Sequence, residues 1–347
     1  MKILVSALEH SANIHLKSLV NKLDEEAELV GIFNKDLGTP IVDLSALAIM
    51  GIVDALKKLR FFFKLKDEMV ELAKDVDKVL LIDSSGFNLP LAKAIKKKYP
   101  HKEIIYYILP QAWAWKKKRI PVLAKTIDHL ASILPFEPSY YPSDAPITYV
   151  GHPLLDQITE FKTSLNEKTK SIVFMPGSRK GEITRLMPIF KDLRAKLDVL
   201  GTLIIPTNFS KEDIQNLYGD LNGFIIKHET YNTLLEADFA FICSGTATLE
   251  ASIIGTPFIL SYIANKVDWF IGSRLVKLSH VGLANIMWQK HKGRTIHPEY
   301  LQDDVTLENL LKAYESYDRG SFLEDSKELR AYLQNGSSAN VAKLIKA

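Results

Sequence analysis

Short apolar runs alternate with longer stretches of helical periodicity along all 347 residues. That alternation constrains the fold more than any other feature. In the first half the runs are Ile3–Ala7, Leu29–Phe33, Val79–Ile82, Ile104–Leu109, Leu130–Leu134 and Thr148–Val150. In the second they are Ser171–Met175, Leu200–Pro206, Phe224–Lys227, Phe239–Cys243, Pro257–Tyr262 and, more weakly, Val281–Asn285. Strands this apolar bury both faces, so the pattern predicts parallel sheets covered by helices. The chain is too long for one ordinary α/β domain, and the polar stretch Asp156–Lys170 marks a break. Two doubly wound, Rossmann-like domains are expected, residues 1–157 and 168–347, facing across a cleft lined by the carboxyl ends of their strands. From Thr306 onward the pattern is helical, and these helices could cross back onto the first domain or pair with a second subunit as a homodimer.

Composition narrows the class. Hydrophobic residues make up 47% and charged residues 24%, as in globular proteins. A net charge of +3 leaves no global nucleic-acid footprint. One cysteine, Cys243, allows no internal disulfide and no cysteine-based metal cage, and fits a reducing compartment. The first strand meets Glu9 too early for a signal peptide, and no apolar run approaches the ~20 residues needed to span a bilayer.

Ile172–Glu182 carries the strongest chemical signal. An apolar strand runs into Pro176-Gly-Ser-Arg179-Lys180, a turn with two cations ahead of a helix. Gly177 lets backbone N–H groups approach an anion, the helix start adds partial positive charge, and Arg179 can grip phosphate oxygens bidentately. A second turn of this kind is Ser244-Gly-Thr-Ala-Thr248, with Glu250 one turn into its helix. Glu250 suits two ribose hydroxyls, although alone it reads as an acid favoured by the helix dipole. Neither turn is a P-loop or a G-x-G-x-x-G. The pair together points to a sugar nucleotide.

In the first half, Asp83 stands where the strand Val79–Ile82 stops, at the edge where open parallel sheets bind ligands. It is the candidate general base, against the alternative of a helix N-cap. Glu9 ends the first strand in the same way, followed by Ser11 and Asn13. His152, in Gly-His-Pro after Thr148–Val150, is either catalytic or a holder of backbone. Gln111–Arg119 joins Trp113 and Trp115 to four cations and suits an anionic acceptor or headgroup better than nucleic acid. Asp75-Val-Asp77 precedes a strand instead of ending one and is expected on the solvated surface.

The segment Ile49–Lys66 repeats apolar residues at helical spacing, with Phe61, Phe62 and Phe63 in a row and a flank of Lys57, Lys58, Arg60, Lys64 and Lys66. Ile52, Leu56 and the three phenylalanines would form the apolar face of a basic amphipathic helix, a membrane-surface pattern for anionic lipid. The alternative is a core helix with one solvated side.

In order and spacing these pieces resemble the lipid-A-disaccharide synthase family of GT-B glycosyltransferases. The likeness runs through Met50–Val53, Ile82–Asn88, Pro110–Trp115 with Lys118-Arg119, Leu134–Glu137 and Val150–His152. It continues through Pro176–Arg179 with Glu182, Ser244–Ala247 with Leu249-Glu250, and Arg274–Lys277. The resemblance implies an inverting, metal- and cofactor-independent hexosyltransferase of Gram-negative bacteria. It would join UDP-2,3-diacylglucosamine to 2,3-diacylglucosamine 1-phosphate at the cytoplasmic face of the inner membrane. It implies Asp83 and Arg179 as catalytic residues. Gly177, Ser178, Glu182, Ser244, Gly245, Thr246, Glu250 and Asn285 would bind the nucleotide sugar, and Glu9, Ser11, Asn88, Trp115, Arg119 and His152 the acceptor. Three departures fall in the acceptor half. Leu8–Asn13 lacks the family's two glycines and aspartate, Gly86 stands where an aspartate is usual, and Asn34–Pro40 replaces a Gly-Gly-Pro-like loop. Two rivals stay open: a different GT-B enzyme acting on non-acylated UDP-GlcNAc, and a nucleotide-binding protein without turnover.

Overall fold

The computed structural model describes residues 1–24, 26–43, 55–265, 269 and 279–347, with backbone alone at 55–58. Ile52, the Met50–Val53 motif and Arg274–Lys277 lie outside the described residues, as does the Leu56 side chain. The chain divides into two compact units, Met1–Asp156 with Leu333–Ala347, and Gln157–Tyr332.

The first unit holds β1 (Lys2–Ser6), β2 (Glu28–Phe33), β3 (Val42–Asp43), β4 (Lys78–Ile82), β5 (Glu103–Tyr107), β6 (His129–Ser132) and β7 (Ile147–Tyr149). They form one parallel sheet in the order β3-β2-β1-β4-β5-β6-β7. Alternate residues feed opposite faces, as strand geometry demands. Leu4, Val79, Leu81, Ile104 and Tyr106 pack into one core layer, and Ile3, Val5, Leu80, Ile82, Ile105 and Tyr107 into the other. The last helix, Ser337–Lys346, adds Val341, Ala342 and Ile345 to the second layer beside Ala12, Leu16 and Leu19 of the helix His10–Val20. Burying Val341, Ile345, Leu16 or Leu19 contributes about 1.5–3 kcal/mol each, and the alanines less. The C-terminal segment is therefore an integral part of the first unit's core.

The second unit holds β8 (Ser171–Met175), β9 (Leu200–Ile204), β10 (Phe224–Lys227), β11 (Phe239–Cys243), β12 (Phe258–Tyr262) and β13 (Glu299–Leu301). They too form a parallel sheet, ordered β10-β9-β8-β11-β12-β13. Ile172, Phe174, Phe239 and Phe241 pack on one face against Leu186 and Phe190 of the helix Lys180–Lys196. Phe174 and Phe241 stack with ring centroids 5.6 Å apart.

The expected strands are found with one exception. Val281–Asn285 is the entry to a helix, Leu283–Lys292, which buries Ala284, Ile286, Met287 and Trp288. The short strands β3 and β13 were not foreseen, because two or three partly buried residues carry no period to read. In both sheets the strand order reverses once, between β1 and β4 and between β8 and β11. Those two switch points fix where ligands can enter.

Candidate active site

Each switch point is flanked by the residues that follow its two central strands. In the first unit these are Glu9 after β1 and Asp83 after β4. Asp83 and Ser84 both adopt positive φ, at 51° and 42°, a conformation that side-chain-bearing residues keep only when their surroundings enforce it. The enforcement is visible. The Tyr106 hydroxyl donates to the Asp83 carbonyl at 2.6 Å, and the Asn88 amide donates to the carbonyls of Asp83 at 2.9 Å and Ile82 at 3.1 Å. Asn88 is itself held by the buried Ser6 hydroxyl at 2.6 Å. The Ser84 hydroxyl donates to Glu9 Oε1 at 2.9 Å, and Arg119 Nη1 donates to Ser85 Oγ at 3.0 Å. Burial raises the Asp83 carboxyl above the ordinary carboxylate range, and the nearby Glu9 charge raises it further. Glu9, Asp83, Asn88 and Arg119 are thus gathered at one strand edge.

The other expected acceptor residues fare differently. Ser11 is exposed in the first turn of its helix. Trp115 is 52% exposed, with Lys116 Nζ 3.8 Å from its ring centroid. His152 is buried, and its main-chain N–H donates to the carbonyls of Leu333 and Gln334. Its Nδ1 accepts from Leu154 N at 3.3 Å, so the ring serves backbone. Burial and the neighbouring His15 push its pKa down to about 3, which leaves it neutral. Gly86, where the resembled family carries an acid, has nothing within 4 Å of where a Cβ would sit. Asp75 and Asp77 are exposed, as expected of a solvated surface, and Asp77 accepts from Lys2 N at 2.7 Å at the start of β1. Phe61 and Phe62 pack on the first core layer, Phe62 against Phe87 at 5.9 Å, so they do not extend an exposed apolar face. Among the described side chains of that helix, Leu59, at 55%, and Phe63, at 56%, are the exposed large apolar ones.

In the second unit the turns after β8 and β11 line a cavity of about 360 Å³, a size that admits a small ligand. Gly177, Ser178, Glu182, Ser244, Gly245 and Thr246 all border it. Gly177 has φ 106°, and a Cβ there would lie 2.6 Å from Glu182 Oε2 and 3.1 Å from Cys243 Sγ. Only glycine fits that approach. Glu182 closes the turn by accepting Arg179 N–H on Oε2 at 3.3 Å, while Arg179 Nη1 reaches Oε1 at 3.2 Å. The Arg179 side chain is otherwise 81% exposed. Burial and the Glu182 charge push the Cys243 thiol up to about 12, so it lines the cavity as an inert neutral group. Glu250 does not line the cavity; burial, then the charge of Glu229, raise its carboxyl. Asn285 is buried with its amide committed to the His297 carbonyl at 2.9 Å, Glu299 Oε1 at 2.8 Å and Ile296 N at 2.8 Å. That leaves it holding the Gly282–Glu299 region together.

Sequence reasoning missed Thr207, Asn208, His228 and Thr230, which line the same cavity from the loops after β9 and β10. His228 Nδ1 meets the Ile205 carbonyl at 2.7 Å. Their position past neighbouring strand ends was the available signal.

The profile of the lipid-A-disaccharide synthetase family matches residues 3–341, nearly the whole chain. The chain belongs to that family. The lipid-A-disaccharide synthase of Helicobacter pylori strain G27 is 46% identical over 353 residues, covering 98% of this chain and 96% of the relative. That of Campylobacter jejuni strain RM1221 is 44% identical over 362 residues, covering 99% and 98%. Among solved structures, Acinetobacter baumannii MurG matches with TM-score 0.60 at 15% identity over 99% of each chain. The UDP-GlcNAc 2-epimerase of Neisseria meningitidis matches with TM-score 0.65 at 11% identity over the whole of each. These place the two parallel sheets in the GT-B class. Membership of the lipid-A-disaccharide synthetase family makes the chain a glycosyltransferase of lipid A biosynthesis. Among the described residues no helix is long and apolar enough to cross a membrane.

Proposed function

We propose that the enzyme condenses UDP-2,3-diacylglucosamine with 2,3-diacylglucosamine 1-phosphate, giving a β-1,6-linked disaccharide 1-phosphate and UDP with inversion at the anomeric carbon. The observation that carries this reading is the cavity at the second switch point, bordered by both Gly/Ser turns. A fold relative has been solved with UDP-GlcNAc bound, which supports the same class of donor here. The backbone N–H groups of the two turns and Arg179 would take the departing diphosphate, giving electrostatic stabilisation where charge develops.

On the first unit, Asp83 removes the proton of the acceptor 6-hydroxyl as that oxygen attacks the anomeric carbon. Its raised pKa makes it a stronger base than an ordinary aspartate, and its fixed backbone aims it. Glu9, through Ser84, and Arg119, through Ser85, brace the same turn. Trp115 and Arg119 supply an aromatic and a cationic surface for the glycolipid phosphate. Leu59 and Phe63, flanked by exposed Arg60 and Lys64, would rest on anionic lipid at the cytoplasmic face of the inner membrane.

UDP release from synthetic acylated donor and acceptor tests the proposal. Turnover should require both acyl substrates. Arg179→Ala should lower kcat by ~10²-fold, and Asp83→Asn should abolish turnover while UDP still binds. Equal turnover of non-acylated UDP-GlcNAc, or an active Asp83→Asn enzyme, would refute it.

A further inference from the structure

The turn after β6 contains a buried acid that the mechanism above does not use. Glu137 is 1% exposed and follows β6 in Leu134-Pro-Phe-Glu137. Its Oε2 lies 2.6 Å from Ser132 Oγ, and its Oε1 has no hydrogen-bond partner among the described residues. No ion pair to Glu137 occurs among the described residues either.

Proton accounting decides its state. The Ser132 hydroxyl has one hydrogen but two acceptors in reach, Glu137 Oε2 at 2.6 Å and the Leu134 carbonyl at 3.2 Å, and it also receives Leu134 N–H at 3.3 Å. With Glu137 ionised, one of the two acceptor contacts lacks a hydrogen, and a buried carboxylate keeps a single donor. With Glu137 protonated, the acid donates to Ser132 Oγ and the serine passes its own hydrogen to Leu134 O. Both contacts are then filled, and no charge is buried unpaired.

What this turn holds gives the acid its role. Trp113 packs edge-on against Phe136 at 4.8 Å and beside Tyr140 at 6.0 Å, flanking Glu137 on both sides in sequence. The same segment carries Trp115 and Arg119, and Arg119 bonds Ser85 two residues from Asp83. Two buried donors of this region, Trp113 Nε1 and Tyr141 Oη, also have no partner among the described residues. Tyr141 lies within reach of the Glu137 charge, and Trp113, packed on Phe136 next to Glu137, couples this turn to the segment that bears Trp115 and Arg119.

We propose that Glu137 is a positioning residue that works as a neutral carboxylic acid, and that its ionisation loosens the Trp113–Arg119 segment of the acceptor site. The groups facing it are the Ser132 hydroxyl and the Tyr141 phenol. Tyr141's own ionisation is pushed above its usual range by burial and by Glu137. Burial raises the Glu137 carboxyl to about 8, so the neutral form dominates at pH 7.

The test compares wild type with Glu137→Gln, which keeps a neutral donor and acceptor, across pH 6–9. In the infrared difference between the two proteins, wild type should show a protonated carboxylic acid band at pH 7 that disappears as pH passes through about 8. Tryptophan fluorescence should shift over the same range in wild type and stay flat in Glu137→Gln. Turnover should lose an alkaline limb in Glu137→Gln that wild type shows. A carboxylate band at pH 7, or a fluorescence shift that persists in Glu137→Gln, overturns the proposal. Only the turnover readout rests on the acceptor reading given above. The infrared and fluorescence arms decide the matter even if that reading fails.

Discussion

Tyr106 donates its hydroxyl to the main-chain carbonyl of Asp83 at 2.6 Å, and so holds in place a residue whose φ of 51° it would not choose by itself. Tyr106 is fully buried on β5, the strand next to β4, so the constraint comes from the sheet and not from the loop. Tyr106→Phe removes one hydrogen bond and leaves the half-buried Asp83 carbonyl with the Asn88 amide alone. We expect a stability loss of about 0.5–1.5 kcal/mol in a urea titration. The more telling change should be in kcat. A freed Asp83 loses its aim, so kcat should fall while UDP affinity, measured by calorimetry, stays at the wild-type value.

Glu9 and Asp83 repel each other across the first switch point, and that repulsion contributes to the raised Asp83 pKa. The base must be ionised to act, so activity should rise with pH through the elevated Asp83 pKa. Glu9→Gln removes the like charge. The acid limb of kcat/KM should therefore move to lower pH in Glu9→Gln. An unmoved limb would show that burial alone sets it.

The strand-end logic that located Asp83, Gly177 and Ser244 was legible because parallel strands are apolar runs with abrupt polar ends. The two switch points followed from it once strand order was known, but order depends on pairings between distant segments that carry no local mark. Asn285 shows the limit. Its amide suits a nucleotide as well as it suits the His297 and Ile296 backbone, and only the fold reveals which partner takes it. Phe61 and Phe62 show another. Three consecutive phenylalanines on a helix cannot share one face, since successive residues turn by 100°, and the core claims two of them. Glu137 looked like part of a motif, and nothing in its neighbours in sequence announced that it would be buried without a cation.

Gly177→Ala probes the donor turn. At φ 106° an alanine is strained, and its Cβ would fall 2.6 Å from Glu182 Oε2, the oxygen that closes the turn. We expect about 1–3 kcal/mol of lost stability. UDP affinity should fall in parallel, because the backbone N–H groups turn away from the cavity. Calorimetric titration with UDP beside a thermal melt measures both. Full affinity would mean that the Ser244–Thr246 turn holds the diphosphate by itself.

The Ala55–Leu72 helix gives a separate test of lipid contact. Leu59 and Phe63 are one helical turn apart and more than half exposed, with Arg60 and Lys64 beside them. Leu59→Ser with Phe63→Ser removes exposed apolar surface and should leave stability within about 0.5 kcal/mol. Flotation with anionic vesicles should drop, and raising salt should weaken the wild-type interaction through the basic neighbours. By contrast, Phe62→Ser should destabilise the fold, because Phe62 packs on Phe87 and the core layer beneath. Equal flotation of the Leu59/Phe63 variant and wild type would exclude this helix as the contact.

Glu137 also predicts a pH dependence of stability whose sign is fixed by its direction of shift. The unfolded chain releases this proton near 4.5, whereas the folded protein keeps it to about 8. Between those values the native state binds more protons than the unfolded state, so this group's contribution to stability declines as pH rises through that window and levels off above it. Glu137→Gln has no proton to hold and should lack that decline. Denaturant midpoints for the two proteins should therefore diverge from pH 5 to pH 8, with the glutamine variant gaining relative to wild type. Parallel curves would mean that Glu137 titrates alike in both states, and that the buried acid finds a donor this fold does not show.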